Sequence, residues 1–142
     1  MTTKVNYPLT AGDKGLIETS TTNPTLALIA GWLIPGAGHA LLGKWIRAAL
    51  IAASIFGMFA IGIALQGKLY SPNTGEPLDI LGFVGDLGAG LICAIAHFLG
   101  WGQAPVLTAV ADYGTKFIEV AGLLNIVAAV DAHSLASGRK RL

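Results

Sequence analysis

Residues 26–65 read LALIAGWLIPGAGHALLGKWIRAALIAASIFGMFAIGIAL, two long apolar runs separated by the basic turn GKWIR at 43–47. The second run, residues 48–65, is eighteen residues long and contains no charged side chain. This length and polarity are typical of a helix that crosses the bilayer, which needs roughly 20 apolar residues. The stretch therefore predicts an integral membrane protein.

The composition of the whole chain agrees with a membrane location. Only 12% of the 142 residues are charged and 54% are hydrophobic, with a mean hydropathy of +0.66, whereas soluble domains contain about 25% charged residues. A net charge of +1 without a basic block argues against nucleic acid as a partner. Cys93 is the only cysteine and lies in an apolar run, so we expect a packed thiol and no disulfide.

Apolar runs and helix-start signals predict an all-α, polytopic membrane helical bundle of about four transmembrane helices. Asn23 and Pro24 are typical of a helix cap and a first helical position. A short interfacial helix is expected over 106–110, and Thr115 is expected to cap the last span. The spans are predicted at about 25–42, 46–65, 80–101 and 116–134. They form one transmembrane domain at 24–138, which lies between a polar N-terminal tail at 1–23 and a basic C-terminal tail at 139–142.

The first predicted span is interrupted by Pro35-Gly36. Proline removes a backbone donor and clashes with the preceding turn, so the helix should kink or break there. A broken backbone inside a bilayer must be satisfied by neighbouring helices or by water. The sequence leaves open whether this segment crosses the membrane or turns back as a re-entrant segment.

Small residues on the spans predict close packing between helices. On the second span three of them recur every four residues, and the third span is rich in glycine. We expect the faces of spans two and three to pack against each other and against a partner. The predicted packing residues are Ala49, Ala53, Gly57, Gly82, Gly85, Gly90, Gly122 and Asn125.

Ionisable residues within the spans are the candidate site, because each costs about 2.5 to 3.5 kcal/mol at the bilayer centre on insertion scales. If four spans cross in alternation, His39, His97 and Glu119 lie at similar depth near the face that carries the basic turn. Asp86 and Asp131 then fall toward the opposite face. These groups are candidates for ligand binding or proton relay, and hydrogen bonding between helices is the alternative explanation for each.

The functional prediction is an accessory or assembly subunit that packs against other membrane proteins or a second copy of itself. The alternative is a transporter or a proton or ion relay through Asp86, His97 and Glu119. Transporters usually have discontinuous helices in matching halves, and only the first span is visibly broken in the sequence.

Cofactor and enzyme chemistry receive little support from the sequence. A haem or pigment held between His39 and His97 is a minor alternative, and no other cofactor and no metal are predicted. The sequence contains neither H-E-x-x-H nor G-x-S-x-G, so we do not expect an enzyme.

The distribution of lysine and arginine predicts the orientation of the spans, since basic residues favour the cytoplasmic side. Four crossing spans with both termini in the cytoplasm leave the basic turn outside, which is the main observation against that arrangement. The inner residues would be Lys4, Lys14, Lys68, Arg139, Lys140 and Arg141, and the outer ones Lys44, Arg47 and Lys116.

Residues 35–44, PGAGHALLGK, followed by Arg47, resemble the two-transmembrane hairpin domain of many small bacterial membrane proteins. The motif positions are Pro35, Gly36, Gly38, His39 and Gly43. Residues 113–132, with YGT, AGLLN and a final DA, are similar to the C-terminal signature of an uncharacterised bacterial family that combines such a hairpin with two further spans. The resemblance covers about 24–140. It implies a multi-span protein of the bacterial cytoplasmic membrane and no particular reaction.

Overall fold

The computed structural model of the chain describes residues 22–71 and 77–139. All regular structure within those two ranges is helical, which confirms the prediction of an all-α membrane bundle. The helices are α1 Pro24–Leu33, α2 Ala37–Leu41, α3 Trp45–Ala64, α4 Pro77–Gly88, α5 Leu91–Phe98 and α6 Ala109–Ala136. Of the two predicted tails, residues 1–21 and 140–142 lie outside the described residues.

Two helices are long and apolar enough to cross a membrane as single elements, α3 with 20 residues and α6 with 28. They pack antiparallel, since Gly62 near the end of α3 lies against Gly114 and Ile118 near the start of α6. α6 is the central helix, because α1, α3 and α4 all pack against it. The main buried hydrophobic cluster consists of Ile55, Phe59, Leu69, Ala89, Cys93, Ala96, Ile118 and Ala121.

The last helix begins at Ala109, so the separate interfacial helix expected over 106–110 is not formed. Thr108 is the cap, and its hydroxyl oxygen accepts a hydrogen bond from Ala111 N at 3.2 Å. Thr115, the expected cap, is instead fully buried within α6 and donates its hydroxyl to Ala111 O at 3.0 Å. A threonine that bonds to the preceding turn can lie inside a helix, which is why the expected start was wrong.

The segment predicted as the first span is a re-entrant hairpin formed by α1 and α2, here called the first hairpin. The helix breaks at Pro35-Gly36 as predicted, and Gly36 adopts a left-handed conformation with φ 84°. Beyond the break α2 returns along α1. The Thr22 hydroxyl donates to Leu41 O at 3.2 Å, and Gly38 packs against Ala27. α1 is only about 15 Å long, too short to cross the roughly 30 Å hydrocarbon core by itself, and α2 returns toward the end of the bundle at which α1 begins.

The segment predicted as the third span is also broken, into α4 and α5, here called the second hairpin. Their axes differ by 111°, and the turn is made by Gly90 with φ 63°. Leu69 N donates to Gly102 O at 2.8 Å, which places the chain that follows α5 beside the chain that follows α3. The uninterrupted helix expected over 80–101 is therefore not formed, and the chain after α5 returns to the end of the bundle at which α3 ends.

The six helices form two halves with the same order of elements, a hairpin followed by a full span. We call the side on which α1 and α3 begin and α6 ends the terminal side, and the side on which α3 ends and α6 begins the loop side. The first hairpin enters from the terminal side and the second from the loop side. The two halves, residues 24–64 and 77–136, therefore have inverted orientations, and their hairpin tips meet near the middle of α6.

Single-cysteine labelling distinguishes re-entrant hairpins from crossing spans. In a Cys93→Ala background, we expect a membrane-impermeant maleimide to label Arg47→Cys and Ser137→Cys from the same side of the membrane, because both exposed positions lie on the terminal side. Gln103→Cys, on the loop side, is the control and should be labelled from the other side. Labelling of Arg47→Cys and Ser137→Cys from opposite sides, as four crossing spans require, contradicts the first hairpin.

Candidate functional site

The tips of the two hairpins are joined by Asn125, in the middle of α6. Its side chain is fully buried, and Nδ2 donates to the backbone oxygens of Trp32 at 2.8 Å and Gly88 at 2.9 Å. These carbonyls belong to the last turns of α1 and α4, which lack intrahelical partners. Since an unsatisfied carbonyl in the bilayer costs several kcal/mol, one amide group stabilises both helix ends.

The tips also contact each other directly. Trp32 Nε1 donates to Leu87 O at 3.2 Å, and Gly90 lies so close to the Trp32 carbonyl that a Cβ atom would overlap its oxygen. Asn125 Oδ1 is buried and has no hydrogen-bond partner among the described residues. We call this region the seam; it consists of Trp32, Leu87, Gly88, Gly90 and Asn125.

A partly buried histidine–aspartate pair lies between the seam and the terminal side. His39 on α2 is 2% exposed, and its Nε2 is 3.2 Å from Asp131 Oδ2 on α6, while Asp131 is 30% exposed. Gly38 lies against Ala132, which allows α2 to approach α6 closely. The structure thus brings the P-G-x-G-H motif into contact with the C-terminal Asp-Ala motif. The paired residues, His39 and Asp131, are 92 positions apart in the sequence.

A second buried carboxylate lies on α4, between the seam and the loop side. Asp86 is fully buried, and its Oδ2 accepts a hydrogen bond from Tyr70 N at 2.6 Å. Its Oδ1 has no partner among the residues that the structure describes. Asp86 therefore carries an unsatisfied acceptor inside the helical bundle.

Residues 68–70 cover Asp86 from the loop side, and we call them the strap. Their three successive backbone N–H groups donate to three different elements: Lys68 N to Thr115 Oγ1 at 2.9 Å, Leu69 N to Gly102 O, and Tyr70 N to Asp86. The Tyr70 ring packs on Gly82, and the Lys68 ammonium lies 5.0 Å from the centre of that ring. Burial raises the pKa of the Tyr70 phenol above its ordinary value, so the side chain is neutral at pH 7.

The charged groups of α6 near Asp86 are already paired with each other. Lys116 Nζ lies 3.1 Å from both carboxylate oxygens of Glu119. The two residues are three positions apart on α6. Their ion pair is partly exposed, since the side chain of Lys116 is 57% and that of Glu119 18% exposed. Glu119 also lies near Asp86, because the neighbouring Gly85 faces the Glu119 backbone, and a Cβ at Gly85 would lie 3.5 Å from it.

The predicted depths of the ionisable residues were wrong in two respects. His39 does not lie level with Glu119, because the first hairpin turns back and carries His39 toward the terminal side. Asp86 lies in the same half as Glu119 and not opposite it, because α4 runs parallel to α6, with Gly88 against Gly122. The placement of His97 and Glu119 toward the same side, and of Asp131 away from Glu119, agrees with the sequence prediction.

The geometry also separates the two histidines of the predicted haem site. His39 is bonded to Asp131, whereas His97 lies at the end of α5, near the loop side. Two axial ligands must reach one iron, so His39 and His97 do not fit this group. Within residues 22–71 and 77–139, no group of three or more His, Cys, Asp or Glu side chains is placed to hold a metal ion.

The predicted packing residues divide into two sets. Gly82, Gly85, Gly90 and Gly122 all make close contacts within the chain. In contrast, the α3 face formed by Ala49, Ala53 and Gly57 is exposed, and a Cβ at Gly57 would meet nothing within 4 Å. The expected packing of this face against the third span was wrong, since the buried residues of α3 are Ala48, Ile55, Phe59 and Gly62, of which Gly62 lies against α6 and Ala48 against Gly36.

The strap and Trp32 are parts of the site that the sequence did not indicate. The strap has no helical or strand periodicity, and its role depends on backbone N–H groups that every residue carries. Thr115 offered a usable signal, because it lies four residues from both Ala111 and Glu119 and so occupies the inner face of α6.

The protein was compared with family models, curated proteins and solved structures. No curated protein and no solved structure matched the chain. One family model matched residues 26–141, which include the first hairpin except for its first two residues, the second hairpin, both long helices and every candidate site residue described above. The chain therefore belongs to a family of unknown function, DUF6677.

Proposed function

We propose that this membrane protein transports a small monovalent cation, a proton or sodium, through the region where its two hairpins meet. The observation that carries the proposal is the pair of broken segments in matching positions of two inverted halves. In transporters, such broken segments in the two halves mark the binding site, because they place helix ends and free backbone groups at mid-depth. The sequence shows only the break at Pro35-Gly36 in the first hairpin, and that single break did not favour transport over a role as a packing subunit.

Polar groups on α6 support a route between the two sides. Thr115, Glu119, Asn125 and Asp131 extend over about 24 Å of the helix, at 1.5 Å per residue. Each of them meets a polar partner. Thr115 accepts a hydrogen bond from Lys68 N and Glu119 pairs with Lys116. Asn125 donates to the Trp32 carbonyl, and Asp131 contacts His39. Polar side chains in a span usually face a bundle interior or an ion pathway, since lipid does not solvate them.

Reconstituted vesicles test the proposal. With a potassium gradient and valinomycin setting the potential, we expect the purified protein to carry protons or sodium faster than protein-free vesicles do. Asp131→Asn should reduce the rate at least tenfold, whereas Gly57→Ala, on the exposed face of α3, should leave it unchanged. If neither ion moves faster than through protein-free vesicles, the transport proposal fails.

We also propose that the terminal side faces the bacterial cytoplasm. The hairpin topology places Lys44, Arg47 and Arg139 on this side, and only Lys68 and Lys116 toward the other. In the sequence, Lys4 and Lys14 precede α1, and Lys140 and Arg141 follow α6. Seven of the nine basic residues therefore belong to, or flank in sequence, segments that end on the terminal side, against two on the loop side. With two hairpins, the distribution of basic residues favours cytoplasmic termini more strongly than it would with four crossing spans. The reason is that the basic turn at 43–47 now lies on the same side as the termini.

A second candidate function is the accessory or assembly subunit that the sequence predicted. The specific observation in its favour is the exposed face of Ala49, Ala53 and Gly57 on α3, where small residues allow a second helix to approach. Native mass spectrometry after crosslinking in membranes should detect complexes that Ala53→Leu removes and that Ala94→Leu, at an exposed alanine on α5, preserves. Isolated monomers from the crosslinked wild-type protein would exclude this role.

A further inference from the structure

We infer that the Asp86 carboxylate is a proton-binding site inside the membrane, closed by the strap, and that the proton is the ion transported. The identity of the transported ion rests on the proposed function, whereas the binding of a proton to Asp86 is a property of the bundle alone. The inference begins from the burial of Asp86 and from the unpartnered oxygen Oδ1.

An ionised carboxylate at this position lacks the partners that usually stabilise a buried charge. Tyr70 N is its one hydrogen-bond donor, and no lysine, arginine or histidine of the described residues forms an ion pair with it. Lys116 on α6 lies within electrostatic range, but its ammonium group bonds to Glu119. A buried carboxyl without a counter-ion favours the neutral, protonated form.

The other ionisable groups around Asp86 do not supply positive charge. Glu119 on α6 is itself an acid, Cys93 on α5 is a buried neutral thiol, and the Tyr70 phenol in the strap is neutral. Asp79 lies on α4, the helix that carries Asp86. Lys116 is therefore the cation that acts on Asp86, and its ammonium group is already paired with Glu119.

The geometry favours a proton over a metal cation or an anion. The site offers one free carboxylate oxygen, which a single O–H bond satisfies, whereas hard metal cations take six or more oxygen ligands. An anion would be repelled by the carboxylate and by the carbonyl end of α4, which carries a partial negative charge. The proton comes from water on the loop side and forms one O–H bond, and its release restores the carboxylate.

Proton binding is coupled to the strap through Tyr70. The hydrogen bond from Tyr70 N to the ionised carboxylate is charge-assisted, and such bonds are roughly twice as strong as neutral ones. Protonation of Asp86 therefore weakens the attachment of the strap to α4, while the bonds to Thr115 and Gly102 remain. The strap thus opens toward the loop side more readily when Asp86 carries its proton.

Infrared spectroscopy of the full chain in lipid tests proton binding without measuring transport. We expect a carbonyl-stretch band of a buried, protonated carboxylic acid that titrates with pH and is shifted by ¹³C-aspartate. Asp86→Asn should remove this band completely, whereas the exposed control Asp112→Asn should retain it. A band that persists in Asp86→Asn, or the absence of such a band at every pH at which the protein is folded, overturns the inference.

Two further measurements keep the outcome decisive. If circular dichroism shows that Asp86→Asn does not fold, the combined variant Asp79→Asn, Asp112→Asn, Asp131→Asn must still show the isotope-sensitive band. In vesicles, Asp86→Asn should lower proton flux at least tenfold. If the Asp86 band titrates but the protein moves no ions, the proposed transport is wrong and the proton site stands. If folded Asp86→Asn keeps the proton flux unchanged, this inference is wrong and the proposed transport stands.

Discussion

Replacing Gly122 by alanine is expected to destabilise the protein by about 3 kcal/mol or more, at the upper end of what overpacking costs. The backbone oxygen of Gly85 on α4 lies where the new methyl group would have to be, and Ala89 N is also within 3.0 Å. A backbone carbonyl cannot rotate away as a side chain can, so α4 must separate from α6. We expect a lower midpoint in denaturation by sodium dodecyl sulfate, followed by circular dichroism.

Gly57→Ala is the matched control for this substitution. Gly57 is also a glycine within a membrane helix, but it is exposed and has nothing within 4 Å of the position of a Cβ. Alanine has the higher helix propensity, by about 0.8 to 1.0 kcal/mol in water, so this variant should be unchanged or slightly more stable. Equal losses for Gly57→Ala and Gly122→Ala would show that α4 and α6 are not in contact at this crossing.

Replacing Asn125 by leucine, a side chain of similar size, is expected to cost roughly 2 to 6 kcal/mol, since two buried acceptors each lose about 1 to 3 kcal/mol. The carbonyl groups of Trp32 and Gly88 would have no donor, and neither lipid nor the dry seam supplies one. Total stabilities are about 5 to 15 kcal/mol, so this loss is large. The same denaturation measurement applies, together with hydrogen exchange at the two hairpin tips.

Ser134→Ala provides the comparison on the same helix. Its hydroxyl donates to Val130 O at 3.0 Å, so the variant also removes one side-chain hydrogen bond to the backbone. That bond lies within a single helical turn and joins no other element, and we expect a change of about 0.5 kcal/mol or less. If Asn125→Leu behaved like Ser134→Ala, the tips would be held together by packing alone.

Features that depend on neighbouring residues were predictable from the sequence. Asn23 accepts a hydrogen bond from Thr25 N at the start of α1, as the Asn-Pro pair indicates. α3 covers Trp45–Ala64, within one residue of the predicted span. The break at Pro35-Gly36 follows from proline chemistry. Each of these signals acts over one or two helical turns, where the identity of the residues determines the backbone conformation.

The second break was not predictable by the same reasoning. Gly82, Gly85, Gly88 and Gly90 all lie in one apolar segment, and a membrane helix tolerates glycine when a neighbour covers it. The first three remain helical and only Gly90 makes the turn. What distinguishes Gly90 is the Trp32 carbonyl packed against it, and that carbonyl belongs to the other half of the chain.

The sequence by itself determined that this protein is helical and resides in a membrane, because length, apolar content and the charges of the turns are local properties. Only the tertiary structure decided that two apolar segments turn back at mid-depth, that Asn125 joins them, and that His39 meets Asp131. These outcomes depend on backbone groups finding partners far along the chain, such as Asn125 with Trp32 across 93 residues. A bilayer supplies no water to replace those partners, so it is the packing of the two halves that decides which segments cross.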